Sequence, residues 1–174
     1  MKVANLIARC LAEHGIDRVF CVSGGASLHL IHGCADEGLA YTCPQHEQAA
    51  GFAADAYARL KGLGCAIATS GPGASNLITP IIASFYDSIP VLYLVGNVTT
   101  FRMAASFPQP PERGYGFQEL PFTRMIRPVV KYAECLMRPE LVIPSLRYAL
   151  KIAREGRPGP VVLEIPDDIQ RAQI

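Results

Sequence analysis

What most limits the fold of this chain is a repeated alternation between helical apolar spacing and short, uninterrupted apolar runs. Val3, Leu6, Ile7, Cys10, Leu11 and His14 recur at helical spacing and stop at Gly15, after which R-V-F-C-V reads as a buried strand. The unit then repeats. The pattern predicts a helix near Ser27 to Asp36 with a strand at Tyr41 to Cys43, and a helix from about Glu47 to Lys61 with a strand at Cys65 to Thr69. It also predicts a helix from about Ser75 to Tyr86 before the strand V-L-Y-L-V at 91 to 95. A strand around Pro128 to Tyr132, a helix ending near Glu155 and Gly156, and V-V-L-E-I-P close the series. Strands that are apolar along their whole length are covered on both faces. The expected fold is therefore α/β: an open, doubly wound, mainly parallel six-stranded sheet with helices on both faces. Ligands of such sheets sit beyond the carboxyl ends of the strands, an edge reached here by S-G-G-A-S, P-Q-H-E and S-G-P-G-A-S-N.

Length and charge bound the rest. With 174 residues, half of them hydrophobic, residues 1 to 174 are expected to form a single domain around one substantial core. Sixteen basic against fifteen acidic residues leave a net charge of +1 with no run of one sign, which argues against nucleic acid or an anionic membrane as partner. Apolar stretches are short and no secretory leader pattern opens the sequence, so a soluble cytoplasmic protein is expected. Six cysteines at 10, 21, 34, 43, 65 and 135 form no C-x-x-C pair and read as core thiols in a reducing compartment. Asn97 to Pro121, with Pro108, Pro110, Pro111, Gly114 and Gly116, reads as a long loop, either a functional lid or a disordered segment.

Several chemistries can be set aside. H-E-Q-A-A at 46 to 50 begins like a zinc-protease helix, but Ala50 stands where the second ligand belongs. His29 and His32, three apart, lack a third ligand nearby in sequence and read as surface or interface histidines. Neither G-x-S-x-G nor G-x-x-x-x-G-K-[ST] occurs. The two glycine loops sit where backbone N–H groups approach ligands, although tight strand-to-helix turns favour glycine anyway. In the helix after Glu47, Ala49, Phe52, Ala53, Ala56, Tyr57 and Leu60 give an apolar side, while Ala50, Gly51, Ala54 and Ala58 make the other side small. Such a helix suits a core or a close interface. Glu47 falls in its first turn, either as a functional acid or as an ordinary capping carboxylate.

Taken in order, these segments resemble the thiamine-diphosphate-dependent enzymes, and among them the acetolactate synthase and 2-oxoacid decarboxylase group. The resemblance rests on G-G-A-S at 24 to 27, H-E-Q-A-A-G-F-A-A-D-A-Y-A-R at 46 to 59, G-P-G-A-S-N at 71 to 76 and D-S-I-P-V-L-Y-L-V-G-N at 87 to 97. F-Q-E at 117 to 119 and G-R-P-G-P-V-V-L-E-I-P-D-D at 156 to 168 extend it over almost the whole chain. It implies an amino-terminal domain that holds the aminopyrimidine of thiamine diphosphate, with Gly24, Gly25, Glu47, Pro72, Gly73 and Asn76 as the matching cofactor residues. Glu47 matches the glutamate that hydrogen-bonds the pyrimidine N1' and so promotes proton removal from thiazolium C2, the step that readies the cofactor for a 2-oxoacid. Phe117 and Gln118 match residues that line the substrate channel.

The resemblance also implies what lies elsewhere. The G-D-G segment that signals the magnesium and diphosphate site does not occur here, so Mg2+ and the diphosphate-binding domain are expected in another segment or chain, and no metal site is expected in this one. A homodimer or homotetramer would complete the site. The chain is expected to be either a fragment of a longer protein or one subunit of a split enzyme, the first being favoured because I-P-D-D-I-Q matches the point where the family's first domain passes to a linker. FAD in a parent enzyme is left open. Ser23 replaces a common proline, Pro80 interrupts a predicted helix, opposing the Asn76 carbonyl, and the lead-in to F-Q-E is long and proline-rich. Acetolactate formation is the first expectation. A benzoylformate-type decarboxylase, an aldehyde lyase, an oxalyl-CoA decarboxylase or a non-catalytic binding domain remain as alternatives.

Overall fold

Strands β1 (Arg18–Cys21), β2 (Ala40–Thr42), β3 (Gly64–Ala68), β4 (Val91–Asn97), β5 (Tyr132–Cys135) and β6 (Val161–Pro166) form one sheet ordered β2-β1-β3-β4-β6-β5. The pairings are parallel throughout. These coordinates come from a computed structural model that describes residues 1–108 and 114–174. The helices are α1 (Val3–Glu13), α2 (Leu28–Asp36), α3 (Glu47–Lys61), α4 (Pro72–Ser75), α5 (Ile78–Asp87), α6 (Phe122–Ile126), α7 (Pro139–Arg154) and α8 (Asp167–Arg171).

Successive residues of a strand point to opposite faces, and the two cores follow that alternation. Leu92 and Leu94 of β4 join Leu163 and Ile165 of β6 under α1, α2 and α7. Val91, Tyr93 and Val95 join Val162 under α3, α5 and α6. The doubly wound sheet with helices on both faces is thus the observed fold, and its central strands are buried along their full length.

Several local expectations are corrected. The helix expected over Ser75 to Tyr86 is two helices, because the turn breaks at Asn76 and Leu77. Pro80 consequently lies in the first turn of α5, where a helix needs no donor from it, and imposes no interior kink. The strand expected around Pro128 to Tyr132 starts later: Arg127–Val129 make a single 3-10 turn around Pro128, and pairing with β6 begins at Tyr132. Asn97 ends β4 instead of opening the loop, and two 3-10 turns, Thr100–Arg102 and Ala104–Ser106, follow. Residues 109 to 113 of that predicted loop lie outside the described residues. Within I-P-D-D-I-Q, Ile165 and Pro166 end β6 and the next four residues open α8, with Gln170 fully buried. Of the cysteines expected in the core, Cys43 is exposed and Cys135 only partly buried.

A further correction concerns which side of α3 faces inward. Ala50, Gly51, Ala54, Asp55 and Ala58 are buried, while Phe52 is 44% and Leu60 86% exposed. Close packing explains the choice. A Cβ on Gly51 would stand 2.4 Å from Pro80 Cγ of α5, and one on Gly64 would stand 2.1 Å from the Ala54 carbonyl oxygen. Only the small side of α3 fits against β3 and α5 at that distance. His46 starts the helix by accepting from the Gln48 N–H through Nδ1 at 3.1 Å, and Gly62 ends it in the left-handed conformation at φ 84°.

Because Ala54 is fully buried, Ala54→Lys is expected to disrupt the core itself, with a loss of at least about 3 kcal/mol from a buried unpaired charge and overpacking. Urea unfolding followed by circular dichroism measures this. An unfolding midpoint equal to that of the unsubstituted chain would contradict the inward orientation of α3.

Candidate functional site

The chain leaves β1, makes β2 on one side of it, and returns to place β3 on the other. At such a reversal the loops from the two strands diverge and open a crevice at their carboxyl ends. Residues after β1 and after β3 therefore face one another. The turn that follows β2 delivers the first turn of α3 to the same edge.

Glu47 occupies that first turn, half-buried, and its Oε2 accepts a hydrogen bond from Asn76 Nδ2 at 2.9 Å. Asn76 caps α4, so the break between α4 and α5 is what presents its amide to the carboxylate. No described residue donates to Oε1, which is not among the buried atoms lacking a partner and so stays open to an incoming donor. The positive end of the α3 dipole favours the carboxylate at this position. A Cβ on Gly73 would lie 3.4 Å from Oε1 and 2.6 Å from Thr69 Cγ2, and one on Gly24 would lie 2.5 Å from Thr69 Cβ. Gly24 and Gly73 are thus fixed by protein packing around Thr69, whose Oγ1 also accepts from the Ala26 N–H at 3.2 Å.

The remaining expected residues are placed differently. Gly25 is exposed with open space around its α-carbon, and Pro72 is exposed at the first position of α4. Gln118 comes to the site through its backbone: a Cβ on Gly71 would stand 2.6 Å from the Gln118 carbonyl oxygen, and Gln118 itself has φ 57°. Phe117 beside it is 82% exposed. His29 and His32 do not converge; they lie 3.5 Å from Asp167 and 3.3 Å from Asp36 respectively.

Sequence reasoning missed the groups that anchor the glycine loop. Thr69 was read only as the end of a strand. A Cβ on Gly96 would stand 1.9 Å from the Ala26 carbonyl oxygen, so β4 passes directly beneath the loop. Gln170 Nε2 donates to that oxygen at 2.6 Å and to the Ile165 carbonyl at 2.7 Å. A glycine inside an otherwise bulky strand is the signal that was available at Gly96.

A family model described as thiamine pyrophosphate enzyme, N-terminal TPP binding domain, matches residues 1–120. This chain belongs to that family. Among its relatives, a probable acetolactate synthase large subunit of Methanocaldococcus jannaschii is 37% identical over 175 residues, covering 100% of this chain and 28% of that protein. The acetolactate synthase large subunit of Haemophilus influenzae is 37% identical over 95% of this chain and 28% of its own length. The acetolactate synthase isozyme 3 large subunit of Escherichia coli is 38% identical over the same two shares, 95% and 28%. The chain therefore spans little more than a quarter of the length of these relatives.

This thiamine pyrophosphate-family domain also buries a carboxylate at the ends of its central strands. Glu164 of β6 accepts from Asn97 Nδ2 of β4, and Asn97 Oδ1 in turn accepts from the Val98 N–H at 2.7 Å. Burial raises the Glu164 pKa to about 7; hydrogen bonds from Thr123 and Asn97 oppose the rise, and the nearby Glu119 carboxylate adds to it. Glu119 ties the following loop together by accepting from the backbone N–H groups of Ala104, Tyr115 and Gly116 at 2.7, 2.8 and 3.0 Å.

Since the folded-state pKa of Glu164 exceeds that of an unfolded chain, the folded state binds the extra proton between the two values. Its contribution is fully present below the unfolded value and is lost as pH rises to about 7, a fall of about 3 kcal/mol. Glu164→Gln is expected to flatten that part of the stability profile. Urea unfolding across the interval, for both proteins, tests it; parallel profiles would contradict the assignment.

Proposed function

We propose that this chain supplies the pyrimidine half of a thiamine diphosphate site, with Glu47 as the acid that governs the cofactor's proton. The observation that carries the reading is the Glu47 carboxylate at the β1/β3 crevice, one oxygen held by Asn76 and the other open. Bound there, thiamine diphosphate would supply a thiazolium carbanion and electron sink for decarboxylation of a 2-oxoacid. Glu47 would hold the aminopyrimidine through its free Oε1 and would give or take the proton of that hydrogen bond. Asn76 fixes the carboxylate so that its free lone pairs stay aimed into the crevice. The open surface at Gly25 gives a flat ring room to approach, while the Gly73 and Thr69 contact keeps the floor rigid.

The diphosphate and its Mg2+ belong in this reading to a separate domain, of the same protein or of a partner subunit. Gln118, beside Gly71, and the exposed Phe117 line the approach of the substrate. The relatives' names support acetolactate formation from a 2-oxoacid as the whole enzyme's activity. Exposed Ala49, Phe52, Ala56 and Leu60 leave an apolar row along α3, which supports self-association into a dimer or tetramer. Phe52→Asp is expected to shift the protein toward monomer in light scattering without loss of helical circular dichroism. An unchanged mass would remove α3 from the interface.

In the holoenzyme, Glu47→Gln is expected to slow exchange of the thiazolium C2 proton by roughly a hundredfold to ten-thousandfold. Cofactor affinity should change far less, because the amide keeps the size of the acid. Deuterium exchange at C2 of the bound cofactor, quenched in acid and read by NMR, measures the rate. Equal rates in the two proteins would reduce Glu47 to a capping carboxylate and overturn the proposal.

A further inference from the structure

Two thiols lie side by side at the edge of the crevice. Cys21 is the last residue of β1 and Cys43 the first residue after β2, and their sulfurs are 3.6 Å apart. They occupy matching places on adjacent parallel strands, one step beyond the aligned pair Phe20 and Thr42. Register therefore brings them together: neighbouring strands lie about 4.8 Å apart, within the α-carbon span that a disulfide bridges. Closure to a bond of about 2.0 Å brings the two sulfurs closer by less than the width of one atom.

Burial divides the pair into two roles. Cys43 is exposed, while Cys21 is fully buried and its pKa is pushed up to about 12 by burial and by the neighbouring Cys43 sulfur. Cys34 is buried, with its pKa raised to about 12, and has no hydrogen-bonding partner at its sulfur among the described residues; Cys65 is likewise fully buried. Cys43 alone of the four can meet a solute.

We propose that Cys43 and Cys21 form a reversible disulfide, in which Cys43 is the thiol that meets a low-molecular-weight disulfide and Cys21 the thiol that resolves it. The Cys43 thiolate attacks one sulfur of the oxidant, forming a mixed disulfide and expelling one small thiolate. Cys21, losing its proton to water, then attacks Cys43 Sγ, forming the protein bond and expelling the second thiolate. Two protein thiols are oxidised by two electrons, and one small disulfide is reduced to two thiols. The bond would join the residue three before Gly24 to the residue four before Glu47, and so fix the two loops that frame the crevice. Reversible thiol pairs of this kind in a reducing compartment are more often redox-responsive than structural.

The probe is oxidised glutathione, added to the reduced chain in mildly alkaline buffer, followed by alkylation and cleavage after glutamate. Cleavage after Glu13, Glu37 and Glu47 places Cys21 and Cys43 in different peptides, 14 to 37 and 38 to 47. A linked pair of these peptides is expected, lighter by two hydrogens than their sum and separated again by dithiothreitol. Cys43→Ser, at an exposed position, should abolish the link. Cys34→Ala should leave it intact, which distinguishes Cys21 from the other cysteine in its peptide. A stable glutathione adduct on Cys43 with Cys21 still open to alkylation after unfolding would overturn the pairing. So would a link that is lost in Cys34→Ala. None of these readouts depends on cofactor binding, so the result is independent of the role proposed for Glu47.

Discussion

The approach of α3 to α5 is the constraint on which the rest of the site depends. Gly51 and Pro80 meet where any side chain on Gly51 would stand 2.4 Å from the proline ring. At that separation Asn76, at the end of α4, reaches Glu47 at the start of α3. Holding the helices further apart would break that hydrogen bond and release the carboxylate to solvent. Pro80 contributes a rigid, flat surface at a position where its missing N–H costs nothing. A residue that looked like a helix breaker in sequence is better understood as half of a helix-to-helix contact.

A second close approach secures the opposite wall. With no Cβ at Gly96, the carbonyl of Ala26 settles over β4, and Gln170 reaches from α8 to satisfy that carbonyl. Thr69 holds the same loop from below by accepting from the Ala26 N–H. The glycine loop is thus anchored by β3, β4 and α8 at once, three elements far apart in sequence. A loop fixed through its backbone keeps its shape whatever its exposed positions carry, which leaves Gly25 free to face a ligand.

Much of the fold was legible because each strand is a continuous apolar run and each long helix has a sided pattern. That signal is local, and parallel strands buried on both faces display it strongly. Glu47, Gly73 and Asn76 were likewise legible as members of an ordered motif series. What could not be read was distance. The inward face of α3 was ambiguous because alanine-rich and apolar sides both suit a core, and only the closeness of β3 and α5 decides for the small one. Thr69 and Gln170 act through contacts with the backbone of residue 26, and Gln170 does so across a separation of 144 positions that no spacing rule registers. The late start of β5 has the same origin: Val129 and Val130 favour a strand, but pairing with β6 is first available at Tyr132.

Helix α3 carries two carboxylates with opposite treatment. Asp55 is almost fully buried and fully engaged: Arg59 donates to it at 2.7 Å and Ser84 at 2.7 Å, while Ser84 also meets the buried hydroxyl of Tyr93 at 3.0 Å. Arg59 continues to Asp87, so the network ties the middle of α3 to the C-terminal half of α5 and to β4. A buried charge paired this completely resists any rotation of its helix, because turning α3 would strand the carboxylate without partners. Eight residues upstream, Glu47 has a single amide donor and an unused oxygen. Its incomplete pairing suits the role proposed for it, and the rigidity supplied by Asp55 keeps that oxygen in place without further contacts to consume it. Along one helix, then, stability is concentrated where the carboxylate is satisfied, and an open oxygen is left where it is not.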